Sequence, residues 1–229
     1  MQHEPDSKGI PHLQDVVSFV LDEARRQGAS QCEADANVSK GLGVTVRLGE
    51  VDTIEYQRDR GLGVTVYFGK RKGSASTADL SQDAVRQTVE KACAIARYTA
   101  EDPYAGLIEP EALARDIPDL DLDHPWDVTP ERAIEIARRC EAAGLEVDPR
   151  ITNSEGGSLN SQRHSGVYGN SLGFLAGVSS TSHSVSCSLI AQQGEDMQRD
   201  YWYTTARDPA DLEAAEAIGR IAEIGRAHV

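Results

Sequence analysis

Gly169-Asn170-Ser171-Leu172-Gly173 has the G-x-S-x-G spacing of a nucleophile elbow, in which a strained strand-to-helix turn offers a serine hydroxyl to a histidine base. Asp196 or Asp200, followed by His228, would complete the hydrolase order Ser, Asp, His. The elbow needs a helix after its serine, whereas Phe174-Leu175-Ala176-Gly177-Val178 leads into Ser/Thr-rich extended chain. A turn between two strands is the preferred reading. Two Gly-x-Gly steps, Gly41 to Gly43 and Gly61 to Gly63, suggest a phosphate cradle, which requires a helix N-terminus after the glycines. Strand-like residues follow both copies instead, so these glycines are read as hairpin turns using positive φ.

No metal site is spelled out. His3, His12, His124, His164 and His183 include no H-E-x-x-H and no i, i+4 pair, and Cys32, Cys93, Cys140 and Cys187 include no C-x-x-C. The cysteines on apolar stripes read as free, buried thiols, which suits a reducing compartment. Tyr201-Trp202-Tyr203 is the densest aromatic cluster and reads either as core packing or as part of a partner interface. No residue is assigned a catalytic or metal-ligating role.

The 23 Lys+Arg stand against 37 Asp+Glu, a formal net charge of −14. A field of that sign repels phosphate backbones and anionic bilayers, so nucleic acid and membrane are both poor partners. The one basic cluster is Lys70-Arg71-Lys72. The N-terminus lacks a basic region followed by an apolar one, and no apolar run reaches the ~18 residues of a membrane span. A soluble, cytoplasmic protein is expected.

The elements that must position these residues follow from periodicity. Leu13, Val16, Val17, Val20, Leu21 and Ala24 predict a one-faced helix over 13–27 that stops at Gly28. From residue 34 to 76 the period becomes two. Gly41-Leu42-Gly43-Val44-Thr45-Val46 recurs as residues 61–66, a displacement too short to hold a crossover helix, so an antiparallel meander is predicted. Ser81 is placed to cap a second helix running to Tyr98. Residues 99–128 form an acidic, proline-marked connector with one short turn at Pro110–Leu113. Thr129-Pro130 opens a third helix that Gly144 should stop. Strand character returns over 151–203, with one strand through Val185–Ile190 and another through Met197–Tyr203. Asp208-Pro209 opens a last helix, with Leu212, Ala215 and Ile218 on one side. That side is expected to need a partner beyond the chain, leaving the helix frayed without one.

The order is α+β: two helix-plus-antiparallel-meander units with helices packed on one face of the sheets. The segmentation read from it is a disordered 1–12, a first unit over 13–98, the connector 99–128, a second unit over 129–204, and a truncated helix over 205–222. Residues 223–229 back-translate to a common sequencing-adapter string and are read as a non-native tail.

Several stretches resemble the N-terminal half of the TldD/PmbA family, in its PmbA (TldE) branch. They are Gly61–Tyr67, Arg71–Ser76, Ala94–Thr99, Pro118–Leu122, Arg150–Ser158 and Asp196–Tyr201. The resemblance implies a cytoplasmic metallopeptidase in which a TldD-like subunit carries zinc on a His-Glu-x-x-x-His helix. A PmbA-like subunit pairs with it as a heterodimer and lacks that motif. It further implies proteolysis of unfolded peptides, including maturation of a peptide-antibiotic precursor and degradation of an antitoxin; the alternative is a non-proteolytic regulator of gyrase or of a toxin-antitoxin pair. On this reading the chain holds no cofactor itself, and its partners are the TldD-like subunit and an unfolded peptide. The positions expected to touch peptide or partner are Arg71, Lys72, Gly73, Asn170 and Ser171.

Overall fold

A computed structural model describes residues 9–222 of the chain. The adapter-like tail, His228 and the first eight residues of the expected disordered N-terminus lie outside them; residues 10–12 of that segment are helical, not disordered. Helix α1 spans Ile10–Arg26, with Leu13, Val16, Val17, Val20 and Ala24 buried along one stripe. Gly28 ends it at φ 85°, where a side chain would be strained. Strands β1 (Gln31–Arg47), β2 (Glu50–Phe68) and β3 (Arg71–Thr77) form the predicted meander, and α2 spans Gln82–Tyr98. The connector contains a short 3-10 turn, Pro110–Ala112. Helix α3 (Pro130–Leu145) precedes β4 (Ile151–Asn170), β5 (Leu175–Gln193) and β6 (Asp196–Ala206). A 3-10 turn, Pro209–Asp211, and α4 (Ala215–Ile221) complete the described chain.

The two meanders join through β1 and β4 into a six-stranded sheet of order β3-β2-β1-β4-β5-β6. By internal contacts the chain divides into two units assembled from interleaved segments. Unit 1 takes residues up to Ser39, Asp59–Leu120 and His164–Ser179; unit 2 takes Lys40–Arg58, Asp121–Arg163 and the residues from Ser180 on. Each unit has its own core. Unit 1 packs α1 and α2 over Cys32, Ala34, Ala36, Leu62, Val64, Val66 and Val167. Unit 2 gathers Leu42, Val44, Cys140, Leu159, Val185, Cys187, Leu189 and Ile218. The repeated hexapeptide therefore supplies Leu42 and Val44 to one core and Leu62, Val64 and Val66 to the other.

Several local expectations are corrected. Ser81 occupies the N-cap position of α2, yet its side chain accepts no capping bond, and its N–H donates to Asp79 (2.9 Å). Thr129 does cap α3, accepting from the Arg132 N–H at 3.3 Å. Gly144 does not stop α3; it is buried within the helix because a Cβ there would come within 2.7 Å of the Gly219 carbonyl of α4. In turn, a Cβ on Gly219 would fall on the Cys140 carbonyl, so the two glycines set a close helix crossing. The helix expected from Asp208-Pro209 is only a turn; α4 begins at Ala215, and Ala215 and Ile218 are buried in unit 2's own core rather than left bare. The strand expected at Val185–Ile190 belongs to the longer β5, whose inward row Thr181, His183, Val185, Cys187 and Leu189 mixes polar with apolar residues. The Gly-x-Gly steps lie mid-strand, without the positive φ of a hairpin turn. They admit neighbouring side chains: a Cβ on Gly43 would meet Asn160 at 3.0 Å, and one on Gly63 would meet Asp35 at 2.5 Å. No helix among the described residues is long and apolar enough to cross a membrane.

Candidate functional site

Alternation along a strand sends successive side chains to opposite faces. In unit 1, Cys32, Ala34 and Ala36 of β1 enter the core under the helices, so Glu33, Asp35 and Asn37 stand on the opposite, open face. The same parity places Gly61, Gly63, Thr65 and Tyr67 of β2 there, with Ser74 and Ser76 of β3 and His164, Gly166 and Tyr168 of β4. The floor of this face is glycine and short polar side chains.

Glu33 is the best-fixed group on it. Its Oε1 accepts from the Tyr67 hydroxyl at 2.8 Å and its Oε2 from the Tyr168 hydroxyl at 2.9 Å. Burial, reinforced by the hydrogen bond to the carboxylate, raises the Tyr67 pKa well above the usual phenol value, and burial raises that of Tyr168. Both phenols therefore remain neutral donors. Asp35 has no hydrogen-bond or ion-pair partner among the described residues. Thr65 and Ser74 share a hydroxyl–hydroxyl bond of 3.0 Å.

Two cavities open on this face. One of about 460 Å³ is lined by Glu33, Asp35, Gly63, Thr65, Ser74 and Tyr168, among others. The other, about 340 Å³, is mainly apolar and takes in Ile117, Phe174, Ala176 and Val178. Asp35 and Tyr168 line both. Tyr168 packs on Phe174 with ring centroids 5.9 Å apart.

The residues predicted from sequence do not form a cluster of their own, and they divide between the two faces of the sheet. Arg71 binds the Arg97 carbonyl (3.3 Å) and Glu101 (3.5 Å). Lys72 is exposed, opposite Tyr67 in the β2–β3 register. Gly73 is buried under α2, where a Cβ would strike the Ala92 carbonyl. Asn170 holds the β4–β5 turn by accepting from the Leu172 (3.0 Å) and Phe174 (3.3 Å) N–H groups. The Ser171 hydroxyl accepts from the Cys32 N–H at 3.0 Å, so the G-x-S-x-G segment is a turn tied to β1. Glu33, Asp35, Tyr67 and Tyr168 were missed. The signal for Glu33 and Asp35 was the charged residue at every second place in Cys32-Glu33-Ala34-Asp35-Ala36; the two tyrosines had none.

In unit 2, Ser161 and His183 meet at 2.9 Å, and His183 Nε2 lies 3.0 Å from the His124 carbonyl oxygen. A carbonyl only accepts, so Nε2 carries the proton and Nδ1 accepts from the serine hydroxyl. The dyad resembles an activated nucleophile in outline. Its imidazole, however, is 1% exposed, with the Trp126 ring set edge-on at 5.4 Å, so it is a satisfied core knot. All four cysteines are free and buried, and burial pushes the Cys32 thiol up to about 12. Among the described residues no three His, Cys, Asp or Glu side chains are arranged to hold a metal ion.

This fold and its segments define a class. Residues 32–96 match domain 1 of the PmbA/TldA metallopeptidases and residues 123–224 match their central domain. The chain belongs to the PmbA/TldD family. It is 48% identical over 207 residues to the metalloprotease PmbA of Escherichia coli O157:H7, covering 90% of this chain and 46% of that protein. It is 42% identical over 207 residues, with the same coverages, to the PmbA homolog of Haemophilus influenzae. The chain thus spans about half the length of these relatives. Among solved structures, one from Bacteroides thetaiotaomicron, named for a proposed role as a modulator of DNA gyrase, superposes with TM-score 0.83 at 24% identity, over 91% of this chain and 48% of that one. TldE of Thermococcus kodakarensis superposes with TM-score 0.74 at 16% identity, over 90% and 46%. These two likenesses show the fold.

Proposed function

We propose that the chain is the N-terminal part of a PmbA/TldE-like subunit of a cytoplasmic, heteromeric zinc metallopeptidase, and that its contribution is to hold peptide and partner. The observation that carries this reading is the open face of unit 1, where a glycine floor, fixed carboxylate and apolar cavity adjoin. The family names supply the peptidase class. The residues described here offer no donor set that fits a zinc ion, so the metal and the hydroxide it generates are assigned to a TldD-like partner, and no hydrolytic step is drawn through this chain. Substrates of the assembly would be unfolded peptides, such as a peptide-antibiotic precursor or an antitoxin, because an extended chain can present single side chains to such cavities. Of the positions expected from sequence, Lys72 and Ser171 are exposed and are kept as secondary contacts; Asn170 is 2% exposed and Arg71 binds the Arg97 carbonyl of α2, so neither is.

Fluorescence anisotropy with an unstructured labelled peptide, with and without the TldD-like subunit and zinc, tests the proposal. Binding by this chain, with cleavage appearing only when the partner is added, is expected. Cleavage by this chain alone, or absence of binding, contradicts it. The gyrase-related name of the Bacteroides protein favours a second reading, a non-proteolytic regulator acting through protein contact. It predicts altered gyrase supercoiling on addition of the chain and no effect of the chain on peptide cleavage.

A further inference from the structure

We infer that the two adjoining cavities on the open face of unit 1 select an extended peptide bearing a basic side chain and, two positions away, an apolar one. The inference deepens the peptide-holding reading above and rests on it.

Charge comes first. Both oxygens of Glu33 are engaged, but by phenol hydroxyls that carry no positive charge, so its negative charge is oriented and left uncompensated. Asp35 adds a second carboxylate without a partner among the described residues, lying against Gly63, where any side chain would displace it. Among the described residues neither cavity has a Lys or Arg in its lining. Thr65, Ser74 and Ser76 complete the first cavity with hydroxyls, which can accept from an ammonium or guanidinium group. An acidic side chain would meet two like charges there, and a neutral one would leave them uncompensated.

Shape and polarity decide the neighbour. The second cavity offers Ile117, Phe174, Ala176 and Val178, with Ile117 59% and Val178 51% exposed. An apolar side chain placed there would remove these surfaces from water. Because Asp35 and Tyr168 wall both cavities, the two side chains project on the same side of the bound segment, and in an extended chain the nearest residues on one side are two apart. The recognised pattern is basic-x-apolar, in either direction.

Three labelled, Gly/Ser-rich peptides that differ only in this pattern, Lys-x-Leu, Glu-x-Leu and Lys-x-Ser, test the inference by anisotropy on the intact chain. Lys-x-Leu should bind best, Glu-x-Leu at least about tenfold more weakly, and Lys-x-Ser about fivefold more weakly. Asp35→Asn should weaken Lys-x-Leu about fivefold with an unchanged melting temperature, while Asp116→Asn in the connector should leave it unchanged. Glu33→Gln serves as a second variant, its folding checked by circular dichroism. Equal binding of the Lys and Glu peptides, or a preference that Asp35→Asn and Asp116→Asn move alike, overturns the inference while leaving the peptide-holding reading intact. Failure of all three peptides to bind removes both.

Discussion

Unit 1 and unit 2 are built from the same parts, yet they treat their carboxylates differently. In unit 2 three acids are matched. Glu141, 1% exposed, accepts from the Leu48 (2.8 Å) and Gly49 (2.9 Å) N–H groups and so fixes the β1–β2 turn, where Leu48 sits at φ 51°. Asp123 takes a bidentate arginine, with Arg163 Nε at 2.8 Å and Nη2 at 2.6 Å. Glu155 is paired with Arg199 at 2.6 Å. On the open face of unit 1, among the described residues, Glu33 has only neutral donors and Asp35 has none. Matched acids hold a fold; unmatched acids beside a cavity are available to a ligand.

The units share their helix-on-strand design, and disturbing it should have the largest effect. Gly73 lies under α2 and Gly157 under α3, each where a Cβ would run into helix backbone. Gly73→Val and Gly157→Val should each cost about 3 kcal/mol in urea unfolding, because backbone cannot yield as a side chain does. A cost below about 1 kcal/mol for either would mean that its helix is not in contact. Gly63→Ala is the contrasting case, since its Cβ meets only the mobile end of Asp35; stability should stay within about 0.5 kcal/mol while Lys-x-Leu peptide binding falls.

The matched and unmatched acids come next. Glu141→Ala strips two amides of a charged acceptor and should cost about 2 kcal/mol, whereas Asp35→Asn should change stability by less than about 0.5 kcal/mol. Similar costs for the two would erase the distinction between the units. Tyr67→Phe lies between them. Removing a buried hydroxyl that donates to Glu33 should cost about 1 kcal/mol and leave the carboxylate less well oriented.

The smallest effect is expected at His124 in unit 2. Its ring bonds the Asp121 carbonyl oxygen at 3.0 Å, which, with the charges of Asp121, Asp208 and Asp211, raises its pKa above the ordinary value of about 6.5. The raised value means the charged ring stabilises the fold fully below the ordinary value and that this contribution is lost as pH rises through the elevated midpoint. An NMR titration should place the midpoint above 6.5, and Asp208→Asn should lower it; an unmoved midpoint would remove Asp208 from the account.

Periodicity located α1, α2, α3 and both meanders because each has one apolar stripe or one apolar row. What escaped was decided by contacts between distant residues. Gly144 looks like a helix stop in isolation, and only the approach of Gly219 shows why glycine is needed inside α3. The short α4 looked like a longer helix because Leu212, Ala215 and Ile218 keep helical spacing across a turn that breaks it. The site was half legible. The alternation through Glu33 and Asp35 was there to be read, but their convergence with Tyr168, more than 130 residues away, depends on β4 lying beside β1.

The central claim is that peptide is held on the open face of unit 1. Its most direct test is photo-crosslinking of a Lys-x-Leu peptide carrying a benzophenone, followed by mass spectrometry of the adducts. Adducts are predicted on Thr65, Ser74, Tyr168, Phe174 or Val178, and they should be competed by unlabelled Lys-x-Leu peptide. Competed adducts concentrated instead on the exposed aromatics Tyr201, Trp202 and Tyr203 of β6 would place the binding surface in unit 2 and contradict the account.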